Sequence, residues 1–199
     1  MTNTNTLGLL ALALVAGIGV GYALWGTQAS APIGTHMMSG GYSMDQNIDQ
    51  HFIVQMIPHH DGAIAMAKIA LERSKRPEMI TLANNIIEAQ EKEIADMRSW
   101  YRSWYGTTLP ATIGDGMMGM PMGGMTGSPD TLKSVAAADF DREFINEMIP
   151  HHEMAVMMAQ MLAAGTGRPE MKQLASDIIA SQSSEIETMR GWLKSWYGN

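Results

Sequence analysis

The strongest constraint on this chain is that it carries the same segment twice. When His59-His60 is laid over His151-His152, residues 52–106 and 144–198 align without a gap, and about half of the positions are identical. MIPHH at 56–60 returns at 148–152, RPEM at 76–79 returns at 168–171, and SWYG at 103–106 returns at 195–198. Such a duplication implies two copies of one supersecondary unit, each covering an apolar face that it cannot bury alone.

Each copy reads as a helical hairpin. In the first copy one helix is expected from about Asp45 to Ser74 and the next from Pro77 to about Tyr105. Pro77 takes the first helical position, where its missing N–H costs nothing, and Glu78 lies in the first turn. The second copy repeats this from about Ala136 to Ala164 and from Pro169 to Tyr197, with Gly165 and Gly167 in the turn. Pro58 and Pro150 fall inside the first helix of each copy, just before the His pair, where they either bend the helix round its neighbours or help to present ligands.

The expected fold class is therefore all-α: a four-helix bundle of two duplicated helical hairpins with a long Met/Gly-rich crossover loop, plus an N-terminal membrane-anchor helix. The expected division is an anchor or signal segment at 1–30, a flexible linker at 31–44 and the bundle at 45–199. Within the bundle, hairpin one covers 45–106, the loop 107–133 and hairpin two 134–199.

The anchor rests on residues 7–25, an uncharged run long enough to cross a bilayer, with Tyr22 and Trp25 near one end. The segment lacks a basic n-region, and Ala29-Ser30-Ala31 is followed directly by Pro32, so an uncleaved anchor is favoured over a cleaved signal peptide. With no Lys or Arg before Lys68, charge does not set the orientation. A body in the periplasm or extracellular space, secreted if the segment is cleaved, is expected from the export-like N-terminus and the absence of cysteine.

The chain has no cysteine but 20 methionines, so thiolate metal sites, disulfides and thiol nucleophiles are out. A thioether needs no deprotonation to bind a metal and prefers soft ions such as Cu(I). A formal charge of −7 leaves no basic stripe for phosphates, so no nucleic-acid partner is expected.

Two polar residues interrupt the apolar seam of each second helix. The seam reads Met79, Ala83, Ile86, Gln90, Glu93, Met97, Trp100 and Trp104, and in the duplicate Met171, Ala175, Ile178, Gln182, Glu185, Met189, Trp192 and Trp196. Buried amides and carboxylates require hydrogen bonds, a metal or water. The first helix has Phe52, Met56, His59, Ala63, Met66 and Ala70 on its seam, with His60 beside it. Folding the hairpin brings His59 or His60 level with Glu93, and His151 or His152 level with Glu185.

If the hairpins pack about a pseudo-twofold axis, four His and two Glu share one layer, with Met56, Met66, Met148 and Met158 within a turn or two. That layer is either a metal site or a structural His–Glu–Gln network. The doubled His pairs, and the clustering of Met154, Met157, Met158 and Met161, favour metal.

The crossover loop adds Met117, Met118, Met120, Met122 and Met125 among Gly and Pro, where they cannot be helix core. A smaller cluster, His36, Met37 and Met38 with Met44, precedes the bundle. Thioethers on a flexible backbone can wrap a two- or three-coordinate soft ion.

MIPHH, the following Ala-x-x-Met-Ala, and the later Ile-Ile-x-x-Gln-x-x-Glu-Ile-x-x-Met-Arg-x-Trp together resemble the family called domain of unknown function 305. Its members include periplasmic copper-binding proteins of the CopM type. The resemblance covers residues from about 45 to 199 apart from the loop. It implies a ferritin-like four-helix bundle that binds Cu(I), Cu(II) or Ag(I) in copper tolerance. The motif positions present are Met56, His59, His60, Met66, Glu93 and Met97, then Met148, His151, His152, Met158, Glu185 and Met189. Asp61-Gly62 becomes Glu153-Met154 in the second copy, so the halves need not bind alike.

The function expected is extracytoplasmic binding of copper or another soft metal, as a buffer, chaperone or tolerance factor and not as an enzyme. Metal ions, the membrane and a copper-transport or delivery protein are the expected partners. The alternatives are a ferritin-like dinuclear oxidase, disfavoured because neither hairpin has Glu-x-x-His on its seam, and a metal-free membrane-anchored scaffold.

Overall fold

The computed structural model describes residues 44–109 and 129–198, and among these all regular structure is helical. Five helices follow in order: α1 (Met44–Arg73), α2 (Pro77–Tyr105), α3 (Pro129–Ser134), α4 (Phe140–Gly165) and α5 (Pro169–Tyr197). The anchor or signal segment at 1–30, the linker apart from Met44 and most of the crossover loop lie outside the described residues. None of the described helices is long and apolar enough to cross a membrane.

α1 pairs with α2 and α4 with α5, as two hairpins, and the hairpins meet along α1 and α4. Two clusters form the core. One joins Phe52, Ile53 and Met56 from the start of α1 to Ala155, Ala159 and Leu162 from the end of α4. The other joins Ala63, Met66 and Ala70 from the end of α1 to Phe140, Phe144 and Met148 from the start of α4. The central helices are thus antiparallel and cross at their middles, where both His pairs sit. Pro58 and Pro150 are interior to α1 and α4.

The repeated motifs now have local explanations. SWYG is a helix stop: Gly106 and Gly198 adopt φ of 66° and 74°, and their N–H groups bond to the carbonyls of Arg102 and Lys194. RPEM is a helix start, with Pro77 and Pro169 opening α2 and α5. The hydroxyls of Ser74 and Thr166 accept hydrogen bonds from the N–H groups of Arg76 and Arg168 at 3.2 and 3.1 Å, fixing the same turn in both copies.

Those arginines tie the hairpins together. Arg168 pairs with Asp49 at 3.1 Å and lies over the Trp104 ring at 4.0 Å, both in the other hairpin. Arg76 mirrors it with Asp141 at 3.2 Å and Trp196 at 4.2 Å. Only a planar guanidinium can bond a carboxylate with its edge while stacking its face on an indole.

Asp49 is buried whereas Arg168 is partly open to water. Arg168→Met is therefore expected to cost about 2 kcal/mol, less than the ~3–5 kcal/mol of a fully buried pair. The loss is read as a lowered urea midpoint, with Arg168→Lys failing to restore it. A midpoint unchanged in Arg168→Met removes the clamp from the account of stability.

Three local expectations are corrected. α4 begins at Phe140 and not near Ala136, and a short helix, α3, occupies the end of the expected loop. The reason is tertiary: Leu132 is fully buried, and the Arg73 guanidinium donates to the carbonyls of Leu132 and Val135, holding the chain in a turn before α4. Gly165 is the last residue of α4 and not a turn glycine. Its missing Cβ matters because Ile48 Cδ1 lies 2.5 Å from where that atom would be. Finally, the buried stripe of α2 runs through Ile94, Met97 and Tyr101, leaving Trp100 and Trp104 half-buried. A repeat of 3.5 residues drifts round a helix of 3.6 per turn, and over seven turns the error reaches a neighbouring position.

Candidate metal centre

The polar layer is a row across the waist of the bundle. At one end His60 Nε2 meets Glu93 Oε2 at 2.6 Å, and at the other His152 Nε2 meets Glu185 Oε2 at 2.6 Å. Between them His59 and His151 face each other with ring centroids 3.7 Å apart and planes tilted by 41°. All four imidazoles are buried. Of the alternatives open in the sequence, His60 and His152 reach the carboxylates, while His59 and His151 meet on the pseudo-twofold axis.

The carboxylates orient two of the rings. A carboxylate oxygen accepts, so His60 and His152 donate from Nε2, which leaves the Nδ1 atom of each outside that bond. Those Nδ1 atoms have no hydrogen-bond partner, nor has either ring nitrogen of His59 and His151. The Oε1 atoms of Gln90 and Gln182, buried at matching places, also lack one. Buried polar atoms are rarely left unpaired, and clusters of them mark places where a ligand belongs.

The central pair is held neutral. Burial, reinforced by repulsion from His60 and His152, pushes the His59 pKa down to about 3. Burial and the three neighbouring histidines push His151 down to about 2. The backbone of each opposite residue pulls the other way, but no well-formed hydrogen bond results, and burial dominates. A neutral imidazole is the form that binds metals, so these side chains stay competent well below neutral pH.

Among the described residues, no three His, Asp or Glu side chains converge on a point that could hold an ion. The other potential soft donors are sulfurs in the two core clusters: Met56 and Met97 are buried in one, with Met158 packed against that cluster, and Met66, Met148 and Met189 are buried in the other. Paired neutral nitrogens suit a soft ion of low coordination number. Glu93 and Glu185 fix the orientation of the His60 and His152 rings through their hydrogen bonds.

The expected site residues are thus divided. His59, His60, His151, His152, Glu93 and Glu185 share one layer, Met56 and Met148 lie one helical turn from His59 and His151, and Met66 and Met158 lie about two turns from them. Met154 is half-buried on α4, one turn from His151. His36, Met37, Met38, Met117, Met118, Met120, Met122 and Met125 lie outside the described residues. Sequence reasoning missed the Asp49–Arg168 and Asp141–Arg76 clamps, although both members recur in the repeat and could have been paired from it.

Two pseudo-symmetric hairpins joined through a buried His layer define the class of this protein: a duplicated-hairpin helical bundle. The chain belongs to the family described as Domain of unknown function (DUF305), which it matches over residues 49–198.

Its solved relatives include CopM. The Cu(I)-bound form is 46% identical, covering 75% of this chain and 97% of that one, with a TM-score of 0.66. The Cu(II)-bound form is 48% identical with the same coverage and a TM-score of 0.65. An Ag-bound form obtained by co-crystallisation is 46% identical, again with 75% and 97% coverage and a TM-score of 0.65. Uncharacterized protein L153 of Acanthamoeba polyphaga mimivirus is 47% identical over 53 residues, 27% of this chain and 35% of that relative's length.

Proposed function

We propose that this protein binds copper as cargo, holding Cu(I) and accepting Ag(I) in its place, and serves as a copper buffer, chaperone or tolerance factor outside the cytoplasm. The observation that carries the reading is the buried, neutral His59–His151 pair, whose ring nitrogens have no partner, with the buried Met56 and Met148 one helical turn before them. The likeness to CopM, solved with Cu(I), Cu(II) and silver, supports the same class of cargo.

In this reading His59 and His151 are ligands, with His60 and His152 available through Nδ1 and the flanking methionines completing a soft set. The imidazole nitrogens also suit Cu(II), whereas the thioethers favour Cu(I) and Ag(I). The loop methionines, Met117, Met118, Met120, Met122 and Met125, together with His36, Met37 and Met38, capture ions and pass them to the bundle. Residues 7–25 hold the bundle at a membrane, and a copper-transport or delivery protein receives the ion.

We read this as binding without turnover. A dinuclear oxidase needs carboxylates that share two metals, and here Glu93 and Glu185 bond to histidines at opposite ends of the row.

The test is a thermal and spectroscopic titration of the full chain with Ag(I) and with Cu(I) under reducing conditions. A ligand that binds only the folded state stabilises it by about 2.7 kcal/mol at one hundred times its Kd, so the melting temperature should climb with added metal. A melting curve indifferent to both ions argues against the proposal. Replacing the five loop methionines with Leu should weaken uptake, and an unchanged affinity removes the loop from the mechanism.

A further inference from the structure

Met157 and Met161 are the large hydrophobic side chains that stand clearly exposed among the described residues, at 47% and 62%. They share a face of α4 with Met154 and Met158, which are half-buried. On a helix, residues three or four apart are neighbours, with Cβ atoms about 5–6 Å apart. Met157 is therefore next to Met161, Met161 to Met158, Met158 to Met154, and Met154 to His151.

At about 100° per residue, Met157, Met161, Met154, Met158 and His151 lie progressively further round from the solvent side of the helix toward its buried face. Met158 packs against the core cluster containing Met56, and His151 is buried. A continuous series of soft donors thus leads from water to the central His pair. The first hairpin has no counterpart: the matching positions of α1 are Gly62, Ala65, Met66 and Ile69, with Met66 fully buried.

Exposed apolar side chains grouped on one helix face call for a function. Methionine's unbranched side chain lets two sulfurs four residues apart close on one ion, and a thioether binds without losing a proton. We propose that Met154, Met157, Met158 and Met161 form an open surface site for a soft monovalent cation, Cu(I) or Ag(I), and the entry route to the buried pair. The ion moves inward by exchanging one neutral ligand for the next, with no change of oxidation state. This rests on the copper-binding reading and adds to it a location, a direction and an asymmetry between the two hairpins.

The experiment follows Met ε-methyl and His ring resonances of the full chain during addition of Ag(I). In the wild type, the methyl signals of Met157 and Met161 are expected to shift at the earliest additions, before the rings of His59 and His151. In Met157→Leu/Met161→Leu, which keeps apolar bulk at two exposed positions, bound silver should fall by one ion per chain. Loading of the His pair should slow by tenfold or more. In His59→Leu/His151→Leu the surface methyl shifts should persist.

Unmoved Met157 and Met161 signals, or an unchanged loading rate in the double-Leu methionine variant, overturn the entry route while silver bound elsewhere leaves the copper reading standing. A wild-type chain that takes up neither Ag(I) nor Cu(I) overturns both.

Discussion

Acidification from pH 7 to pH 4 is expected to unfold the metal-free protein. The fold holds His59 and His151 neutral, with pKa values lowered from 6.5 to about 3 and about 2 by burial and by the neighbouring histidines. Above pH 6.5 these rings are neutral in the folded and unfolded chains alike, so pH has no leverage through them. Below it the unfolded chain takes up two protons that the fold refuses, and stability falls until the folded pKa values are reached.

The loss is about 1.4 kcal/mol per pH unit for each ring. By pH 4 the pair removes on the order of several kcal/mol, comparable with the ~5–15 kcal/mol that stabilises a typical domain. Circular dichroism should place the acid midpoint between about pH 4 and pH 5. Bound Ag(I) should move it lower, because the metal selects the same neutral rings. Full helicity and near-ultraviolet signal at pH 3.5 without metal are incompatible with this account.

His59→Leu/His151→Leu is expected to give a protein that is more stable and no longer competent in copper binding. Leucine has nearly the volume of histidine, and the two rings already face each other in the buried waist of the bundle. Each buried polar group left without a partner costs about 1–3 kcal/mol, so removing the pair should raise unfolding free energy at pH 7 by about 2–4 kcal/mol. The steep acid transition should flatten in the same variant, since the groups that cause it are gone.

Affinity for Cu(I) should fall by more than about a hundredfold, because even the loss of a partner behind a metal-binding histidine costs 10–100-fold. Such a gain in stability against a loss of binding identifies groups kept for function. Urea denaturation and Ag(I) titration of the same variant check both halves. A destabilised variant with unchanged metal affinity makes the layer a structural network instead.

Much of the scaffold was legible because its signals are local or repeated. Pro77 and Pro169 open helices, Gly106 and Gly198 end them, and the repeat allows each reading to be checked against its copy. The candidate layer was legible for a similar reason: Gln90, Glu93, Gln182 and Glu185 interrupt apolar seams at matching positions, opposite doubled histidines.

What escaped were the contacts that neither the repeat nor the seam pattern was used to pair, and the slow drift of the seam itself. Ala136, Ala137 and Ala138 favour helix, yet α4 starts after them, because burial of Leu132 and the bonds made by Arg73 outweigh intrinsic propensities of a few tenths of a kcal/mol. The Trp100 and Trp104 positions were displaced by accumulated phase along one helix. The clamps of Arg76 and Arg168 join residues in different hairpins, and only their recurrence in the repeat hints at them.

The sequence by itself determined the helices, their hairpin pairing and the chemical character of the waist, because periodicity, helix punctuation and duplication are properties of the chain read residue by residue. Tertiary structure alone decided that α1 and α4 cross antiparallel at their His pairs. It decided that His60 and His152 turn to carboxylates while His59 and His151 turn to each other. Neighbouring residues on a helix are separated by about 100°, so only the direction from which a partner helix arrives can distinguish the two histidines of each pair. The same arrival leaves the Met157–Met161 face of α4 open to solvent while its core-facing histidines are closed in.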